Sequence, residues 1–351
     1  FVMVARAFRV NGERPLLGEP AHDGSVHWWS YACCGQAAHS LAQLLHAACT
    51  QSGAHADAAV VICAPNGVGW LLADWACALA AVPSIVIDAS TPPTRALSTA
   101  RAAARRVGRD VCAAVVAEEY MAEWEEAAIR EGKPNIDTVA GAAGVSLFTT
   151  ADARRRLVRL HADDVSMHEA DGAAEVDTAA VSAGEGTDLV TCLFSFGSTG
   201  EPKPLWFDAL RWAEWGERNP PSSKRARAAL ARRSVRVSCA ALFAPLSHGL
   251  ARRTAWGELL HGGRLGLCDP RGRMADAAHG STEPDACVDL LEQIRSFAPT
   301  TLSAAPRFYA LYQRRFETIL ARAVRNADGD AARLAALMAV RELGGERLRL
   351  L

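Results

Sequence analysis

A chain of 351 residues, half of them hydrophobic (50%), is long enough to bury a sizeable core, either as one large α/β domain or as two subdomains. Its 38 basic and 39 acidic side chains leave a formal net charge of -1, which argues against a surface built for nucleic acid. The 10 cysteines contain no C-x-x-C pair and no Cys/His group at zinc-ligand spacing, so buried free thiols in a reducing compartment are expected and no metal ligands are assigned.

In chain order, FVMVARAF is too short and too soon charged to be a signal peptide. From Glu13 to Tyr31, turn residues alternate with short apolar runs, which predicts strands or an extended entry. Ser30 is placed to cap a following helix, whose apolar stripe is Ala37, Ala38, Leu41, Leu44, Leu45 and Ala48. His39 and His46 lie on the margins of that stripe without a third ligand and read as packing or surface histidines. Next come a strand over 59–63, a Pro65-Asn66-Gly67 turn, a helix over 68–81 and a strand over 84–87. That order predicts a parallel strand pair with a right-handed crossover. The longest apolar stretch, Leu71 to Ile87, is broken by Asp74 and Pro83 and is not a membrane span. A helix is expected over 92–109, with Arg101, Arg105 and Arg106 on its charged face, and then a strand over 111–117. Residues 163–187, rich in Ala, Gly, Ser and acids, read as a flexible connection.

That connection leads into LVTCLFSFGSTGEPKPLWFD, Leu189 to Asp208. The apolar run from Leu189 to Phe196 predicts a buried strand ending in a turn. Gly197 and Gly200 free the backbone to curl, and Ser198 and Thr199 add hydroxyls, so N–H groups and side chains can converge on phosphate oxygens, with Lys203 at the rim. Pro202 and Pro204 forbid the immediate helix that a P-loop of nucleotide triphosphatases requires. The stretch resembles instead the phosphate loop of the adenylate-forming (AMP-binding) enzymes, the superfamily of acyl-CoA synthetases, peptide-synthetase adenylation domains and luciferases. Phe194, Ser195, Gly197, Ser198, Thr199, Gly200, Pro202 and Lys203 match it position by position. Phe196 stands where that family has a small hydroxyl residue, and Pro204 where it has Gly. A lost hydrogen bond to a charged phosphate would weaken binding by about 1.5–3 kcal/mol.

Residues 207–215 read as a helix or turn rich in tryptophan. The basic run Lys224, Arg225, Arg227, Arg232 and Arg233 reads as a solvated helix face, with anionic lipid or a nucleotide as the other reading. A strand over 235–244 then delivers Pro245-Leu246-Ser247-His248-Gly249 at its carboxyl end, the edge where open parallel sheets bind ligands. Four stretches resemble acyl-CoA synthetases in family order: VVICAPNGVGWLLADWACALAAVPSIVIDAS, the phosphate loop, APLSHGLARRTAWGELLHGGRLGLCDP, and IRSFAPTTLSAAPRFYALYQRRF. Their order points to the long-chain fatty acid CoA ligase branch. GGERLRLL resembles the start of the next family strand. With no initiating Met and no sign of the later motifs, the sequence is expected to be an N-terminal fragment: residues 1–351 as a partial AMP-binding domain, without the second half or the C-terminal lid.

The resemblance implies an α/β fold of mostly parallel sheets flanked by helices. It implies ATP, Mg2+ and CoA as cofactor and co-substrates, a fatty acid as substrate, and an intracellular place, cytoplasmic or peripheral on a membrane. It assigns ATP phosphates to Ser195, Gly197, Ser198, Thr199, Gly200 and Lys203, and the acyl pocket to His248, for which a merely solvated or helix-capping histidine is the other reading. The family's catalytic Lys lies outside this chain. A different adenylate-forming ligase using an aryl or amino acid, or a non-catalytic relative, are the alternatives.

Overall fold

The structure is a computed structural model that describes residues 2–21, 24–51, 57–131, 145–167, 188–196, 202–217, 238–268 and 284–302, together with 304, 308–310, 313–314, 317–318 and 321. Its elements are α1 (Val2–Asn11), β1 (Pro15–Pro20), β2 (Val26–Ser30), α2 (Tyr31–Gln51), β3 (Ala58–Cys63), α3 (Val68–Leu79), β4 (Ser84–Val86), α4 (Pro93–Arg105), β5 (Asp110–Val116) and α5 (Met121–Glu131). There follow β6 (Ser146–Thr149), α6 (Thr150–Met167), β7 (Leu189–Phe196), β8 (Pro202–Asp208), α7 (Ala209–Glu217), β9 (Cys239–Leu242), α8 (Gly249–His261), β10 (Arg264–Leu267), α9 (Pro284–Phe297) and β11 (Thr301–Leu302). They form two compact units: one of residues 1–14, 30–218 and 247–249, the other of 15–29, 219–246 and 250–351.

The first unit is built on a six-stranded sheet in the order β6-β5-β3-β4-β7-β8, parallel except for the antiparallel pair β7–β8. Both faces are covered, so β3 is buried at every residue and reads as an unbroken apolar run instead of an alternation. On one face Val61, Ile85, Ala114 and Cys192 pack with Leu97 and Ala100 of α4 and Trp124 of α5. Ser84 and Thr191 therefore point to the other face, where the Ser84 hydroxyl reaches the buried Asp74 of α3 at 3.4 Å and the Thr191 hydroxyl at 3.0 Å. Helices α2, α3 and α6 pack together, and the Ser30 hydroxyl caps α2 by accepting the Cys33 N–H at 3.1 Å.

The second unit carries the five-stranded sheet β11-β9-β10-β1-β2, with β11, β9, β10 and β1 mutually parallel. Leu290, Leu291, Ile294 and Phe297 of α9 bury its Cys239 and Ala241. Gly266 is glycine for a steric reason: a Cβ there would collide with the Phe297 ring. Before β10, a Cβ on Gly263 would run into the Glu258 carboxylate of α8 and stand 2.6 Å from the Ser238 hydroxyl oxygen.

The expected α/β class and the strand-helix-strand unit are found, with α3 ending at Leu79 and a turn through Ala81 in the left-handed region (φ 56°). Three expectations need correction. Helix α6 continues through Met167, so 163–167 are helical instead of part of the connection, because extending a formed helix costs little per residue; 168–187 lie outside the described residues. Phe207 and Asp208 end a strand, and the helix begins only at Ala209. The strand expected over 235–244 is the shorter β9, its residues 235–237 lying outside the described set, as do the basic run 224–233 and the segment 344–351. Cys33, Cys34, Cys49, Cys63, Cys77, Cys112, Cys192, Cys239 and Cys268 are buried free thiols. No described helix is long and apolar enough to cross a membrane.

Candidate functional site

The strand β7 coincides with the apolar run expected from the sequence, and β8 returns beside it as an edge strand. In their antiparallel register Phe194 faces Pro204, Ser195 faces Lys203 and Phe196 faces Pro202. Pro202, Lys203 and Pro204, expected in a loop, are thus strand residues. Proline lacks a donor, and an outer strand can spare donors on its open side. Directly opposed residues share a face, so the Ser195 hydroxyl and the exposed Lys203 ammonium stand on the same side of the hairpin mouth. Phe194 and Trp206 take the other side and pack into the core beside α4. Gly197, Ser198, Thr199 and Gly200, which with Glu201 close the hairpin, lie outside the described residues.

A second polar group gathers at the carboxyl end of β4. The Asp88 Oδ1 accepts the Ser90 N–H at 3.0 Å and the Ser90 hydroxyl at 2.6 Å, an Asx-type turn, while Oδ2 accepts the Ser247 hydroxyl at 2.9 Å. Ser247 is half-buried and the adjoining His248 exposed, in the turn that opens α8. Burial alone would push the Asp88 carboxyl up. The Ser90 hydroxyl and amide, the Ser247 hydroxyl and the charge of His248 outweigh that and hold it below the ordinary carboxylate value. Cys63, at the end of β3, donates its thiol to the Asp88 carbonyl at 3.5 Å, and burial, with the nearby Asp88 charge, pushes that thiol up to about 12. Cys63 is therefore a neutral packing group and not a nucleophile.

These two groups lie along one sheet edge. β4 and β7 are paired in parallel through Ser84↔Thr191 and Ile85↔Cys192, so Asp88 and Ser195 both lie toward the carboxyl ends of neighbouring strands. The structure thus brings His248 beside Asp88 and pairs Ser195 with Lys203. Sequence reasoning quoted Asp88 within a longer stretch without assigning it. The available signal was an Asp-x-Ser turn directly after an apolar strand. A hydroxyl and an ammonium on one face suit a polyphosphate chain. Among the described residues no three His, Cys, Asp or Glu side chains form a metal-sized group.

The model of the AMP-binding enzyme family matches residues 5–350. No curated protein matches the chain. Among solved structures, the chain is similar to the N-terminal domain of FACL13 from Mycobacterium tuberculosis, with 16% identity, a TM-score of 0.55, and coverage of 89% of this chain and 63% of that one. It is similar to the o-succinylbenzoate CoA synthetase of Bacillus subtilis in complex with its acyl-adenylate, with 15% identity, a TM-score of 0.55 and coverage of 89% and 63%. The McyG A-PCP structure complexed with phenylalanyl-adenylate gives 12% identity, a TM-score of 0.60 and coverage of 99% and 49%. At these identities the likeness is one of fold, and the chain spans between 49% and 63% of the length of these three proteins.

Proposed function

The chain belongs to the AMP-binding enzyme family, and from that premise we propose that the protein carrying it is an ATP-dependent fatty acid CoA ligase. The observation that carries the reading is the hairpin mouth, where Ser195 and Lys203 stand on one face on either side of GSTGE in the sequence. In the first half-reaction an oxygen of the fatty carboxylate bonds to the α-phosphorus of ATP and the bond to pyrophosphate breaks. In the second, the thiol sulfur of CoA bonds to the acyl carbon, AMP leaves, and the thiol proton passes to solvent. Neither half needs covalent help from the protein, so its task is alignment and charge neutralisation.

Ser195, Ser198 and Thr199 would offer hydroxyls, and the Gly-rich segment from Gly197 to Gly200 backbone N–H groups, to the β- and γ-phosphates. Lys203 steadies the departing pyrophosphate. Mg2+, when bound, would neutralise phosphate charge. His248 borders the acyl pocket. The fatty chain is favoured by the order of PLSH, GGR and PRFYALYQ along the sequence. A second reading, an aryl or amino acid as the carboxylate, is favoured by the phenylalanyl and o-succinylbenzoyl adenylates named for two of the fold neighbours. The place proposed is intracellular, in the cytoplasm or peripheral on a membrane, and the buried free thiols support a reducing compartment.

The test is carboxylate-dependent exchange of labelled pyrophosphate into ATP by the full-length protein, over a panel of fatty, aryl and amino acids. Exchange with fatty acids and acyl-CoA formation are expected. Exchange only with aryl or amino acids would replace the substrate class. No exchange with any acid by folded protein would contradict the activity and point to a non-catalytic relative.

A further inference from the structure

We infer that Asp88 is a positioning residue that anchors the Ser247–Gly249 turn, and with it the imidazole of His248, at the carboxyl edge of β4. The inference deepens the functional reading above, on which its catalytic consequence rests.

An Asx-type turn needs a single acceptor oxygen, and Oδ1 of Asp88 already fills that role for Ser90. The second oxygen is directed elsewhere, to a hydroxyl 159 residues away in sequence. That bond is redundant for the local turn and links two segments the chain brings together only on folding. The Asp88 backbone is itself fixed from both sides. Ile87 donates its N–H to the Ile62 carbonyl at 3.0 Å, the Asp88 carbonyl accepts the Cys63 thiol, and it accepts the Thr91 N–H at 3.0 Å. A carboxylate on so firm a mount is a reference point for the turn it holds. Ser247 has another possible use, as a capping group for α8, yet its hydroxyl proton points to Asp88. His248 follows directly and lies close enough for its charge to favour the Asp88 carboxylate. The imidazole is therefore restrained through the backbone by its neighbour and through space by the charge.

Ser247→Ala removes the link and leaves the Asx-type turn intact; Asp88→Asn keeps an acceptor for Ser90 but loses the charge. Measured by pyrophosphate exchange with the full-length protein, each is expected to raise KM for the carboxylic acid about ten-fold, as loss of one charge-assisted bond would, with KM for ATP within about two-fold of wild type. The double variant should be no worse than the more severe single one, because both delete the same link. Additive effects, or equal loss for ATP and acid, would overturn the inference. A second readout is independent of activity: the ring resonances of His248 in protein carrying labelled histidine, identified by their loss in His248→Gln. They are expected to shift in Ser247→Ala. Unchanged resonances there would overturn the inference even if the enzyme turns over. A shift in a protein that exchanges no pyrophosphate would uphold the positioning role and sink the functional reading alone.

Discussion

Asp88 and Glu258 are both carboxylates beside a serine hydroxyl near the end of a parallel strand, but they sit at opposite kinds of end. Asp88 follows β4 at its carboxyl end, whereas Glu258 lies where strands begin, accepting from Ser238 just before β9 and from Thr301 at the start of β11 at 3.5 Å. Asp88 collects three donated hydrogen bonds and the charge of His248, which outweigh its burial and hold it ionised. At Glu258 burial wins over the Ser238 and Thr301 hydroxyls and the charge of His261, pushing it above the ordinary glutamate range. The balance of hydrogen bonds and charge against desolvation decides the sign. The ionised carboxylate stands at the edge suited to ligands, and the more deeply buried one braces helix α8 against the strand start at Gly263.

Six substitutions sharpen or break that contrast. The largest effect is expected at the hairpin mouth: Thr199→Ala or Lys203→Ala should lower pyrophosphate exchange roughly ten- to a hundred-fold, the loss of a charge-assisted bond of about 1.5–3 kcal/mol. Equal rates would remove the loop from the account. Next, Gly263→Ala should destabilise the protein by about 1–3 kcal/mol in thermal melts, since a Cβ meets the Glu258 carboxylate and Ser238; an unchanged midpoint would show that this brace gives way freely.

The two carboxylates should then separate by pH. The folded Asp88 gives up its proton below the ordinary 3.8, so its contribution is fully present above that value and is lost as pH falls through the lower folded one. Asp88→Asn should accordingly be less stable than wild type at pH 7, with the deficit closing in strong acid. Glu258 keeps its proton above the ordinary 4.5, so the folded state binds more protons and stability falls as pH rises through that window. Glu258→Gln should be more stable than wild type at pH 7, with the gain vanishing below 4.5. Both variants shifting stability in the same direction at neutrality would refute the contrast. The smallest effect belongs to Arg155, whose exposed pairs with Glu118 and Asp152 are solvent-screened. Arg155→Ala should leave the melting midpoint unchanged, and a clear drop would mean that this surface network contributes after all.

Legibility followed locality. The strand from Leu189 to Phe196, the crossover from Ala58 to Val86 and the capping Ser30 were readable because each depends on neighbours within a few residues. Helix α1 went unread because its stripe of Val4, Ala7 and Phe8 is short, and it is buried by packing against α2 and α3. β8 looked like a loop because two prolines mask a strand that only its outermost place in the sheet permits. Asp88 could be flagged as a turn residue, but its second acceptor has meaning only once Ser247 arrives. The glycines, hydroxyls and Pro-Lys of the stretch that resembles a phosphate loop carry their signal through spacing alone, and residues 197–201 lie outside the described residues.

The most direct test is calorimetric titration of Mg-ATP into this chain and into the full-length protein, each beside its Thr199→Ala variant. The account predicts binding by the full-length protein that the substitution weakens ten-fold or more. Binding indifferent to Thr199, or none by the folded full-length protein, would contradict the claim that the β7–β8 hairpin is where this protein holds its nucleotide.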